Sequence, residues 1–287
     1  MFAKKVLLIV ALVAAVGMIA SACAPQPAPA PVVQTRIVEQ TKIVEKIVTA
    51  TPVSSTASAA SEGFSIYQGT LMEKEKTAEV STDELRQILA QKSATVFDAR
   101  PSKEYSISHI PGALNVAPKA GVPMSQYVSD VAEIGRIVAD KKAPIVLYCN
   151  GPFCGKSKRL AEDLLAGGYT NVRRYQLGIP TWRALVGLTQ IELEGVRYVV
   201  DNDKTAVFFD ARDPEEFKAE SLPGARNLVL ADVAKAKDDG RLPMEDHNTR
   251  VLVFGKDGDQ ARAVAESIAK NAFHNVAFYA GSFGSLK

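Results

Sequence analysis

Val96-Phe97-Asp98-Ala99-Arg100 recurs as Phe208-Phe209-Asp210-Ala211-Arg212, and His109-Ile110-Pro111-Gly112-Ala113-Leu114-Asn115 recurs as Ser221-Leu222-Pro223-Gly224-Ala225-Arg226-Asn227. Both matches fall at one offset of 112 residues, and Glu104-Tyr105 answers Glu216-Phe217 in the same register. Further on, Gly168-Tyr169-Thr170-Asn171-Val172 is echoed by Ala272-Phe273-His274-Asn275-Val276. Self-similarity of this kind means two copies of one domain. They fill 77–287, with boundaries expected at 77–187 and 191–287.

Around the repeated stretches, short apolar runs alternate with longer helical patterns. Thr95-Val96-Phe97 and Ile145-Val146-Leu147-Tyr148 have the length and composition of buried strands, while 83–89 and 158–165 place apolar residues at helical spacing. Ser81 or Thr82 can cap the first helix, and Gly167-Gly168 can end the second. Strands alternating with helices predict an α/β fold, each copy a mainly parallel sheet flanked by helices on both faces.

Composition narrows the setting. The net charge of +2, from 34 basic and 32 acidic residues, leaves no electrostatic footprint for nucleic acid, and 47% hydrophobic content is enough for two cores. Lys4 and Lys5 precede an uncharged apolar run at 6–20, the layout of a signal peptide at 1–22 and too short for a spanning helix. Ala20-Ser21-Ala22-Cys23 resembles the lipobox of bacterial lipoproteins, although Leu is usual where Ala20 stands. The resemblance implies lipidation of Cys23 and an extracytoplasmic, membrane-anchored protein; the alternative is an ordinary cleaved signal peptide with Cys23 incidental. Residues 23–62 are rich in Pro, Ala, Ser and Thr and poor in aromatics, so they read as a disordered linker. Within it a six-residue repeat, 35–40 and 41–46, reads as a spacer or as a self-associating stalk.

Three cysteines are too few for a disulfide framework, so Cys149 and Cys154 require a chemical explanation. Asp98-Ala99-Arg100, Glu104-Tyr105 and His109-Ile110-Pro111-Gly112-Ala113 resemble the first signature of the rhodanese family. The likeness continues through Cys149, the loop Asn150-Gly151-Pro152-Phe153-Cys154-Gly155, the pair Lys156-Ser157, and Gly178 with Trp182. It implies a sulfurtransferase of the thiosulfate type, with Cys149 carrying a persulfide and 150–157 forming the substrate cradle. Thiosulfate would be the donor, a thiol or cyanide the acceptor, and no cofactor is called for. The same resemblance makes Asp98 a support for the loop, pairs Arg100 with Glu104 and leaves His109 a structural turn residue.

The residues alone lead to the same cysteine. Cys149 sits where a buried strand ends and a helix begins, the place where open α/β sheets bind ligands. Gly151 and Gly155 let the loop curl, and the helix start carries Lys156, Lys158 and Arg159. That field favours a thiolate, an anionic donor and a covalent sulfur intermediate. A buried structural thiol would need no such loop. Three histidines and two distal thiols assemble no metal site at these spacings.

The loop is longer than is usual in the family, as in phosphatases that share the fold. Phosphatase chemistry would need Arg six positions after the cysteine, where Gly155 stands. Two thiols on one tight turn could approach disulfide distance, which makes Cys154 either a resolving thiol or a wall of the cradle. A sulfur-binding or redox-sensing module that hands its sulfur to one protein partner is the rival function. In the second copy Gly255 stands where Cys149 stands in the first, the tryptophan counterpart and the closing helix are missing, and the copy reads as a degenerate partner.

Overall fold

Alternation along the strands explains how each sheet is covered. In the computed structural model, which describes residues 76–116 and 130–287, Val96, Val146, Tyr148 and Tyr175 turn to one side of the first sheet. Phe97, Ile145, Leu147 and Val172 turn to the other. A strand buried on both faces is apolar throughout, which is why Ile145–Tyr148 reads as one continuous run. The expected signal peptide at 1–22, Cys23 and the linker at 23–62 lie outside the described residues. No helix among the described residues is long and apolar enough to cross a membrane.

The first sheet consists of β1 (Ala78–Glu79), β2 (Thr95–Asp98), β3 (Leu114–Asn115), β4 (Ile145–Tyr148) and β5 (Val172–Tyr175). Its order is β1-β5-β4-β2-β3, with every pairing parallel. Parallel neighbours need crossover connections, supplied by α1 (Thr82–Gln91), α2 (Ser102–Ile107), α3 (Val131–Ile137) and α4 (Gly155–Ala166), with α5 (Gly178–Val186) closing the unit. Leu85, Ile88, Ile179 and Trp182 bring α1 and α5 onto one face; Ile134, Leu160, Ala161 and Leu164 bring α3 and α4 onto the other. Each large apolar side chain so buried contributes about 1.5–3 kcal/mol. Ser81 is the cap of α1, its hydroxyl accepting from the Glu84 amide at 3.1 Å, while Thr82 meets the Tyr175 hydroxyl at 2.9 Å instead.

The second sheet repeats the plan: β6 (Leu188–Ile191), β7 (Val207–Asp210), β8 (Arg226–Asn227), β9 (Val251–Phe254) and β10 (Val276–Tyr279), in the order β6-β10-β9-β7-β8. Its pairings are parallel too. It begins at Leu188, three residues ahead of the expected boundary at 191, because β6 pairs with β10 along its whole length. Helices α6 (Leu193–Asn202), α7 (Pro214–Ala219) and α8 (Gly258–Ala269) flank it. Where the first copy has α5, the second has a single 3-10 turn at Phe283–Leu286, with Phe283 buried against Phe254.

The two copies meet through the turn that follows α2. His109 and Gln190 exchange backbone hydrogen bonds at 2.9 Å in both directions, and the Glu192 amide donates to the Ser106 carbonyl at 2.8 Å. Gly195 of α6 lies so close to α2 that a Cβ there would collide with the Ser106 carbonyl, and Lys103 sits 4.0 Å from the Tyr198 ring centroid. A groove of about 800 Å³ opens between the copies, lined in part by Leu89, Trp182, Leu185 and Arg262. None of residues 149–157 lines it.

Candidate functional site

The chain leaves β4 at Tyr148 and enters α4 at Gly155, so residues 149–154 form the loop between them. Cys149 is 2% exposed. Its carbonyl accepts from the Ile179 amide at 3.1 Å, which ties the start of the loop to the start of α5. Gly178 makes that approach possible. It has φ +65°, and a Cβ on it would fall on the Cys149 carbonyl oxygen and the Gly151 amide nitrogen, with the Gly151 Cα 2.9 Å away. Gly151, at φ +105°, turns the loop back, and its carbonyl accepts from the Cys154 amide at 3.0 Å. Asn150 reaches sideways, its amide donating to Glu104 at 2.6 Å.

Cys149 and Cys154 are joined by a disulfide, with their Cα atoms 6.1 Å apart. Cys154 is the half-buried residue at the N-cap of α4, where its own side chain makes no capping hydrogen bond and no acidic residue occupies the first turn. The first amides of a helix have no intrahelical partner and concentrate its positive end. Lys156 and Lys158 lie in the same turn. A Cβ on Gly155 would come 2.9 Å from Nη1 of Arg159, so that guanidinium rests over the helix start. The start of α4 beside Cys149 thus combines the positive end of a helix with basic side chains.

The second copy handles the same place differently. Only residues 255–257 separate β9 from α8, and Asp257 caps the helix by accepting from the Gln260 amide at 2.8 Å, with Asp259 also in the first turn. Its helix end is satisfied from within. Gly255 packs against Gln260, whose side chain accepts from the Lys256 amide at 2.9 Å, and no thiol is present.

Beneath the loop lies a buried polar hub. Asp98 is fully buried and takes Nε of Arg100 at 2.9 and 3.0 Å, Nη2 at 2.5 Å and the Arg100 amide at 2.9 Å. The Tyr148 hydroxyl donates to Asp98 at 2.6 Å and accepts from the Ile110 amide at 3.1 Å. Burial and the Asp98 carboxylate raise Tyr148 well above the usual phenol range, so it remains a donor. Burial alone would lower Arg100, but its pairing with Asp98 raises it. The same frame recurs in the second copy through Asp210, Arg212 and Asn227, with Ser221 donating to Asp210 at 2.8 Å in place of a tyrosine.

Several expectations need correction. Arg100 pairs with Asp98 and donates to the Ser108 carbonyl at 2.6 Å, not to Glu104, because its side chain turns inward and Glu104 faces Asn150. Asp98 supports the loop at one remove, through Tyr148. Ser157 is buried and accepts from Arg174 at 3.4 Å, which ties α4 to β5. Phe153, expected in the cradle, is 87% exposed. His109 is a structural residue: fully buried, stacked on Tyr105, with Nδ1 donating to the Tyr105 carbonyl at 2.9 Å. Burial lowers its pKa to about 4, so it is neutral, and Nε2 lacks a hydrogen-bond partner although Glu192 stands 3.5 Å away. Sequence alone names Arg159 among the basic residues of the helix start but gives Tyr148 no role; a tyrosine closing an otherwise apolar strand is the available signal, since a buried phenol needs a partner.

The chain is similar to an HTH-type transcriptional regulator of Mycobacterium tuberculosis, 36% identical over 97 residues, covering 33% of this chain and 36% of the regulator. It thus spans about a third of that relative's length. Among solved structures it is similar to a thiosulfate sulfurtransferase from Pseudomonas aeruginosa, with 22% identity, TM-score 0.29, and coverage of 71% of this chain and 43% of that one. It is also similar to a rhodanese-like domain from Anabaena, with 15% identity, TM-score 0.30, and coverage of 34% and 71%. A family model for the Rhodanese-like domain matches residues 81–185 and 199–287, one match to each copy of the repeat and more than half of the chain together. Fold, repeat and family match agree, and the chain belongs to the rhodanese-like domain family.

Proposed function

We propose that the protein is a sulfurtransferase in which the first copy works through Cys149. The observation that carries this reading is the contrast between the two helix starts that follow the central strands. The start of α4 has no capping hydrogen bond from its own N-cap side chain, is basic and lies adjacent to a cysteine; the start of α8 is capped by its own Asp257 and faces a glycine. A positive helix end stabilises a thiolate and attracts an anionic donor, with thiosulfate the proposed one. The reduced Cys149 thiolate attacks the outer sulfur of thiosulfate; sulfite leaves with the bonding pair, and a persulfide remains on Cys149. A thiol or cyanide then takes that sulfur and frees the thiolate. Covalent storage divides one difficult transfer into two displacements.

The reading extends to location. Lys4, Lys5, the apolar run and Cys23 support export and lipid anchoring outside the cytoplasm, with the linker as a tether. Replacing Cys23 with Ala should move the protein out of the detergent-extracted membrane fraction. Steady-state transfer from thiosulfate to cyanide by the reduced chain tests the chemistry. Turnover by wild type and none by Cys149→Ser supports an enzyme. Activity surviving in Cys149→Ser would end the assignment, and a persulfide without turnover would favour a sulfur carrier for a protein partner.

A further inference from the structure

We infer that Cys154 resolves the Cys149 persulfide, so that the loop reduces sulfane sulfur to hydrosulfide and closes as the Cys149–Cys154 disulfide. The inference rests on the reading of Cys149 as the sulfur acceptor and adds a second reaction at the same loop. Three observations support it. The two sulfurs are bonded across a loop whose turn is set by the Gly151 carbonyl and Cys154 amide. The loop is three residues longer than its counterpart in the second copy, which has neither cysteine, so the extra length coincides with the second thiol. Cys154 is the N-cap residue of α4, and the Arg159 guanidinium rests against the next residue, Gly155, a setting in which a thiolate is favoured.

The step balances as follows. The Cys154 thiolate attacks Sγ of Cys149, the bond from that atom to the outer sulfur breaks, and the outer sulfur leaves with the electron pair and its proton as hydrosulfide. The sulfane sulfur gains two electrons, and the two cysteine sulfurs supply them. A small or protein dithiol reopens the loop. Cys149 is 2% exposed whereas Cys154 is half-buried, so the reductant attacks Sγ of Cys154 and Cys149 departs as the thiolate ready for the next donor. The net reaction converts thiosulfate and a dithiol into sulfite, hydrosulfide and a disulfide.

The test is a single turnover of the full chain, reduced and kept free of oxygen, with one equivalent of thiosulfate. Hydrosulfide, free thiols and intact mass are read together. Wild type should release one hydrosulfide per chain, lose the Cys149 and Cys154 thiols and end at the mass of the disulfide form. Cys154→Ser and Cys154→Ala should release none and retain the mass of one added sulfur. Wild type that takes up sulfur and holds it, with Cys154 still titratable, overturns the resolving role and leaves sulfur transfer standing. Failure of every chain to take up sulfur overturns both.

Discussion

Replacing Gly178 with Ala tests the construction of the loop more sharply than any change to the loop itself. At φ +65° a side chain adds a backbone cost of about 1–2 kcal/mol. The new methyl would also meet backbone on three sides, at the Cys149 carbonyl, the Gly151 amide and the Gly151 Cα, none of which can rotate away. Overpacking of that kind costs a further 1–3 kcal/mol or so, giving a total of about 2–5 kcal/mol. The displaced group carries Cys149, and a shift of about 1 Å at a reacting atom can cost about 100-fold in rate. Gly224→Ala is the internal control: φ is +76°, but nothing lies within 4 Å of the added Cβ, so only the backbone cost applies. Urea unfolding of both variants, with the rate of sulfite release from thiosulfate, separates the effects. If Gly178→Ala loses no more stability than Gly224→Ala and reacts at the wild-type rate, the tie between α5 and the cysteine is wrong.

Other consequences are independent of that one. The folded-state pKa of His109 lies at about 4, below its ordinary value of 6.5, because burial disfavours its charged form. The unfolded chain therefore takes the proton first, and stability that is full above pH 6.5 falls by about 3 kcal/mol as the pH drops to 4, at 1.36 kcal/mol per unit. Denaturant midpoints measured across that window should flatten in His109→Gln. Tyr148→Phe leaves Asp98 and the Ile110 amide each short of a partner and should cost about 2–4 kcal/mol, read by thermal or urea unfolding. Ser81→Ala removes the α1 cap and should cost about 1 kcal/mol in the same assay, with no effect on sulfite release.

How far the sequence could be read depended on the range of the interaction. Strands β2, β4 and β9 are announced by short apolar runs, and the repeat at offset 112 implies two copies of one architecture before any contact is known. The buried stripe of α4, Ser157, Leu160, Ala161 and Leu164, follows helical spacing, so the inward face of Ser157 was legible in the periodicity even though the resemblance placed it in the cradle. The partner of Arg100 was not legible. Asp98 lies two residues before it and Glu104 four after, and the choice depends on tertiary placement: Asp98 is buried beneath Tyr148 while Glu104 meets Asn150. Two-residue strands such as β3 and β8 leave no periodic signal, and β6 was missed as a start because its partner, β10, lies at the far end of the second copy.

The central claim is that the first copy alone, through Cys149, accepts sulfane sulfur. Sulfite released in a single turnover is the direct measurement, because it reports donor cleavage whatever becomes of the persulfide afterwards. The fully reduced chain, mixed with excess thiosulfate without an acceptor or reductant, should release a burst of one sulfite per molecule, absent in Cys149→Ser. A burst of equal size in Cys149→Ser, or none in a folded, reduced wild type, would contradict the account.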